Sequence, residues 1–134
     1  MVIGFTSGCF DLFHIGHVNL LKQAKEHCDY LIVGVNSDDL MYDYKNKNPI
    51  INEENRRDIV EACKYVDEVH IIETRDRNKL WDEYHFNILM VGDDWKDTDT
   101  WNKIEQDMKD KCEVIYLKHT SGISSTSIRN AIKG

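Results

Sequence analysis

The sequence predicts an α/β fold: an open, parallel, five-stranded sheet with helices on both faces. Three observations carry this. Five short apolar runs recur along the 134 residues, each nearly continuous and rich in β-branched residues, as strands buried on both faces are. Segments with apolar residues at helical spacing lie between them. Strand and helix alternate from end to end, which implies βαβ units with right-handed crossovers.

The elements follow in order. The first strand is read at VIGFT (2–6) and the first helix at Val18, Leu21, Ala24 and Cys28. YLIVGV (30–35) is the second strand. Asn36 to Ile51, with YKNKNP inside it, reads as one long irregular loop, a length usually kept for function. Asn52 caps a second helix whose core face is read as Ile59, Ala62, Cys63 and Val66. VHII (69–72) is the third strand, and Leu80, Trp81 and Tyr84 mark a short helix after it. ILMV (88–91) precedes a helix with Trp101, Ile104 and Met108 inward. VIYL (114–117) precedes a last helix, capped by Ser124 or Ser125, with Ile128, Ala131 and Ile132 inward. No repeat and no compositional break divides the chain, so residues 1–134 are expected to form one Rossmann-like domain.

Hydrophobic residues at 41% and charged residues at 31% give a globular balance. A net charge of -7 argues against nucleic acid or an anionic membrane as the main partner, but leaves room for a small anion in a local basic pocket. The four cysteines (Cys9, Cys28, Cys63, Cys112) form no C-x-x-C pair. They read as reduced thiols. With no signal peptide and no membrane-length apolar run in view, a cytoplasmic location is expected.

In open parallel sheets ligands bind beyond the carboxyl ends of the strands, where the strand order reverses. With the order 3-2-1-4-5, the first and fourth strands meet at that point. Two polar, glycine-marked segments then face each other, SGCFDLFH (7–14) and GDDW (92–95). No G-x-G and no P-loop occurs, so any phosphate site is built another way. His14 and His17 flank Ile15 and Gly16 where the first helix begins. A helix N-terminus suits a phosphate, two imidazoles there can stabilise a phosphoryl-transfer transition state, and Gly16 keeps the approach open. A zinc site, a core histidine and a helix-capping detail without chemistry are the alternatives that spacing leaves open.

GCFDLFHIGH (8–17) resembles the H-x-G-H signature of the nucleotidyltransferase superfamily that includes the small cytidylyltransferases. KYVDEV (64–69), GDDW and GISSTSIR (122–129) follow in the order and spacing of glycerol-3-phosphate cytidylyltransferases, so the resemblance spans essentially the whole chain. It implies in-line transfer of CMP from CTP to a small phosphorylated acceptor, with pyrophosphate released and no covalent enzyme intermediate. It also implies Mg²⁺ as cofactor and a homodimer.

The resemblance carries roles to particular residues. His14, His17 and Lys47 are the expected catalytic groups. Gly8, Cys9, Phe10, Asp11 and Gly16 are expected around the nucleotide, with Asp11 also a candidate ligand of Mg²⁺. Gly92, Asp94 and Trp95 would line the nucleoside, while His119, Thr120, Ile123, Ser124, Ser125 and Thr126 would take the phosphates, with Arg129 one turn on. Lys64 joins the nucleotide set. Lys45, Arg56, Asp39 and Asp67 are the expected acceptor contacts. Arg56 and Arg57 oppose the dipole of the helix they open, which points to a bound partner. Lys64 and His119 stand where these enzymes carry arginine, and GCFD with VNSD (35–38) also resembles heptose-phosphate adenylyltransferases. An adenylyltransferase and a non-catalytic nucleotide-binding regulator therefore stand as alternatives.

Overall fold

The computed structural model describes residues 1–133. The strands are β1 (Ile3–Gly8), β2 (Tyr30–Asn36), β3 (Glu68–Ile72), β4 (Ile88–Gly92) and β5 (Glu113–Leu117). The helices are α1 (Ile15–Glu26), α2 (Asp38–Lys45), α3 (Glu53–Glu61), α4 (Arg77–Tyr84), α5 (Asp99–Met108) and α6 (Ser125–Lys133), with a 3₁₀ turn at Asp93–Trp95. All pairings are parallel, in the order β3-β2-β1-β4-β5. This is the expected order, and β1 and β4 do meet at the switch point.

The alternating pleat divides the core between the two faces of the sheet. Leu31, Val33 and Val35 of β2 pack with Leu21 and Ala24 of α1 and Val60 of α3. Ile32 of β2 and Leu89 of β4 pack on the other face with Leu80 of α4 and with Trp101 and Met108 of α5. No helix is long and apolar enough to cross a membrane among the described residues.

Three expectations change. Half of the supposed loop 36–51 is α2. Ser37 caps it by accepting from the Leu40 N–H at 3.0 Å, Asp38 and Asp39 suit its first turn, and Asn46 ends it in the left-handed region at φ 55°. With Met41 the one buried residue on it, α2 carries too short an apolar stripe to be read from periodicity. On α3 the buried face is Arg56 and Val60, whereas Ile59 and Ala62 are exposed and the helix stops before Cys63 and Val66. The inward position one turn before Val60 is an arginine, while Cys63 and Val66 do pack against the core, from the turn that follows the helix. On α6, Ala131 and Ile132 face outward, Ile132 being 72% exposed. That helix docks through polar contacts.

Candidate functional site

The chain leaves β1 through a tight loop that places Phe10 and Leu12 in the left-handed region, at φ 56° and 51°. Each costs about 1 kcal/mol or more for a residue with a side chain, so the surroundings must hold the loop. Asp11, between them and 2% exposed, does so. Its carboxylate accepts from the Ile50 and Ile51 N–H groups, both at 2.9 Å, and from Arg129 Nη2 at 3.0 Å, while its carbonyl accepts from Ser125 Oγ at 2.5 Å. Burial alone pushes this carboxyl up. The two N–H donors and the Arg129 guanidinium outweigh burial and hold it below the usual carboxylate range. Each oxygen already accepts a hydrogen bond and the side chain is 2% exposed, so Asp11 does not fit the role of Mg²⁺ ligand. It ties the β1 loop, the segment before α3 and α6 into one unit.

The two histidines form the cap of α1. The Gly16 N–H donates to His14 Nδ1 at 3.0 Å, and the His14 N–H donates to His17 Nδ1 at 3.1 Å. This reciprocal pair is a capping box with imidazoles in place of the usual side chains. The capping reading is therefore correct, and it bears on chemistry. A ring nitrogen that accepts an N–H carries no proton, so both neutral imidazoles hold theirs on Nε2. Burial lowers His14, and burial together with neighbouring His14 lowers His17 to about 4. The rings lie 3.9 Å apart between centroids, and Phe13 stacks on His17 at 5.2 Å. At neutral pH the site thus presents two neighbouring, uncharged Nε2–H donors. A Cβ on Gly16 would stand 2.7 Å from His14 Cε1, so only glycine leaves that ring in its capping position. Among the described residues no three or more of His, Cys, Asp and Glu gather as candidate metal ligands.

Positive charge comes from elsewhere. A cavity of about 200 Å³ adjoins His17 and is bounded by Lys45, Lys47, Ser125, Thr126 and Arg129. Cys9, Phe10 and Asp11 complete one wall. Ser124 caps α6, accepting from the Ser127 N–H at 3.0 Å and donating its own N–H to Ser127 Oγ. The α6 N-terminus thereby faces the cavity beside the α1 cap. Ile123 packs toward Gly16, and Thr120 Oγ1 accepts from Asn19 Nδ2 of α1 at 3.0 Å. His119 Nδ1 meets Asp93 Oδ1 at 2.7 Å, fastening the strand β5 exit to the GDDW turn. The hydrogen bond to Asp93 raises His119 and lowers Asp93. Asp94 and Trp95 are exposed on that turn, and the Asp94 carboxylate lies over Gly92, 2.7 Å from where a Cβ would be.

The expected acceptor contacts fare differently. Lys45 lies on the cavity wall, and Asp39 is exposed on α2 without lining either cavity of this edge. Arg56 is fully buried and is no substrate contact. It donates to the carbonyls of Cys9 (2.7 Å), Asn36 (2.8 Å) and Ile51 (2.8 Å) and pairs with Asp38 at 2.6 Å. The partner that its position in the helix called for is the backbone itself. Lys64 and Asp67 lie in the connection feeding β3, at the amino ends of the strands, away from the histidines. Asp67 pairs there with Lys25 at 2.5 Å and accepts from the Leu31 N–H at 2.8 Å. Sequence reading missed Asn36, Tyr44, Arg75, Arg77 and Trp101, which line a second cavity at the carboxyl edge. The available signal was TRDR (74–77), two arginines directly after a predicted strand.

A parallel sheet with two helix N-termini and a set of cations converging at its switch point defines a nucleotide-handling α/β protein. The chain belongs to the cytidylyltransferase-like family, whose model matches residues 5–131, and it is a nucleotidyltransferase. It is 40% identical over 131 residues to the glycerol-3-phosphate cytidylyltransferase of Bacillus subtilis, covering 96% of this chain and 95% of that one. It is 38% identical over 128 residues to the ethanolamine-phosphate cytidylyltransferase of Dictyostelium discoideum, covering 92% of this chain but 36% of that one. Among solved structures, a lipopolysaccharide core biosynthesis protein from Thermoplasma volcanium superposes with a TM-score of 0.73 at 27% identity, over 90% of this chain and 97% of that one.

Proposed function

We propose that this protein transfers CMP from CTP to a small phosphorylated acceptor, with glycerol 3-phosphate the first candidate, and releases pyrophosphate. The observation that carries the reading is the pair of Nε2–H donors on the α1 cap, set beside a cavity whose other walls are cationic. A phosphate oxygen of the acceptor forms the new bond to the α-phosphorus, and the electron pair of the broken bond leaves on pyrophosphate. The acceptor oxygen arrives already deprotonated, so no general base is required. The histidine donors stabilise charge growing on the α-phosphate oxygens, and Lys45 and Lys47 neutralise the leaving pyrophosphate at the α6 N-terminus. The relative in Bacillus subtilis, similar along nearly its whole length, supports both the nucleotide and the acceptor.

Mg²⁺, expected from the resemblance, would arrive as part of the metal–triphosphate substrate, since the phosphate cavity offers no free carboxylate. A homodimer rests on the resemblance as well, and a cytoplasmic setting rests on the four cysteines read as reduced thiols. The test is pyrophosphate release with CTP, ATP, GTP or UTP against a panel of phosphorylated acceptors. Turnover with CTP and glycerol 3-phosphate is expected. Turnover confined to ATP would replace the reading with an adenylyl transfer.

A further inference from the structure

The segment leaving β5 is held from two sides. On one side stands α1. Gln23 Nε2 donates to the Lys118 carbonyl at 2.8 Å, and Gln23 Oε1 accepts from the Lys118 N–H at 3.0 Å, so one side-chain amide satisfies both backbone groups. Asn19, one turn earlier on α1, donates to Thr120 Oγ1. Successive side chains of an extended segment alternate in direction, so His119 points away from α1. There it meets the Asp93 carboxylate at 2.7 Å. The GDDW turn that carries Asp93 starts at Gly92 without a side-chain cap. The His119–Asp93 bond therefore ties a weakly capped turn to a segment that α1 holds firmly.

A second observation concerns what His119 does not do. It was expected at the phosphates, yet it is not among the residues that bound the phosphate cavity, and its side chain is 62% exposed. The charged groups around it are Asp93 and Asp94 on the turn, Lys118 on its own segment, and Lys22 and Glu26 of α1, which share a surface groove with it. The bond to Asp93 raises His119, Asp94 adds to this and Lys118 opposes it. The same bond lowers Asp93, which stays ionised. The contact is a charge-assisted hydrogen bond while His119 is protonated, and it becomes a weaker neutral one as pH rises through the raised value.

We propose that His119 is a positioning residue for the nucleotide: with Asp93 it clamps the GDDW turn to the β5 exit, so that nucleotide binding weakens as pH rises and the clamp loosens. The assignment rests on the transfer reaction above, which places the nucleoside beside Asp94 and Trp95. A turn fixed in advance spares the nucleotide the cost of ordering it. The expected size is modest, because the pair is exposed and solvent weakens it.

The experiment compares wild type with H119R, H119Q, D93N and the double variant H119Q/D93N. Without nucleotide, the His119 imidazole shifts are followed by NMR from about pH 5 to 9. Their midpoint should lie above that of an ordinary histidine and should fall in D93N. CTP is then titrated by calorimetry, without acceptor, at both ends of that range. The wild-type Kd should rise with pH by about threefold to fivefold relative to H119R, whose charge is permanent and whose profile carries only the titration of the nucleotide itself. At low pH H119Q and D93N should each weaken CTP by a similar factor, and the double variant should be no worse than either. A midpoint unmoved by D93N, or profiles that coincide in wild type and H119R, would overturn the clamp while turnover of CTP kept the transfer reaction. Unchanged or tighter binding by D93N would also overturn it and make His119 a direct nucleotide contact. The same pH pattern with ATP, in a protein that does not bind CTP, would keep the clamp and sink the choice of CTP.

Discussion

The two edges of the sheet treat charge in opposite ways. At the amino edge acids find donors near the surface: Lys25 pairs with Asp67, and Glu68 accepts from the Tyr30 hydroxyl at 2.8 Å. At the carboxyl edge three acids that could cancel the cations are consumed inside the scaffold. Asp11 is held by two N–H groups and Arg129, Asp38 by Arg56, and Asp76 by the α4 cap. Lys45, Lys47, Arg75 and Arg77 are left without a carboxylate among the described residues. A chain of net charge -7 thereby builds a cationic cleft, because internal pairing decides which charges face a ligand.

The largest effect is expected at the α1 cap. H14N keeps an oxygen that can accept from the Gly16 N–H but loses the Nε2–H donor. Turnover should fall by about 10²–10³-fold, the scale of a lost oxyanion donor, with little change in thermal unfolding. A large loss of stability with unchanged turnover would reduce the pair to a structural cap.

Next come the carboxylates of the two edges. D11N leaves Arg129 without its charge partner in a buried site and should cost about 2–4 kcal/mol in denaturant unfolding. D67N, on the exposed pair, should cost at most about 1 kcal/mol. Equal costs would erase the contrast. G16A drives the capping ring from its place and should lower kcat by about tenfold to a hundredfold, measurable at saturating substrate.

A separate effect is in pH. His17 has its folded pKa depressed to about 4 from 6.5, so the unfolded chain binds its proton first as pH falls. The contribution of His17 to stability is complete above the unfolded value and is lost on going from about 6.5 down to 4. H17N should flatten the stability–pH curve in that window. In the ligand-free protein, ¹⁵N shifts of both imidazoles should report protonated Nε2 and bare Nδ1 at pH 7.

What the sequence disclosed follows the same division. The five strands, their order and the position of GCFDLFHIGH were legible because apolar periodicity and topology are written in residue type. Arg56 and Asp11 were misread because their types signal surface or metal, and only the fold shows that carbonyls and N–H groups surround them. Arg75 and Arg77 were passed over because two arginines in a turn look solvated until Tyr44 and Trp101, from distant elements, close around them.

The reciprocal cap on α1 has a kinetic side as well. The amides of His14 and Gly16 hold the first helical turn and, in the same two bonds, fix where each imidazole keeps its proton. On the proposed mechanism, any opening of that turn switches the enzyme off for as long as it lasts. Hydrogen exchange at these two backbone positions is then a clock for how often the catalyst is out of service, read without substrate and without a mutation.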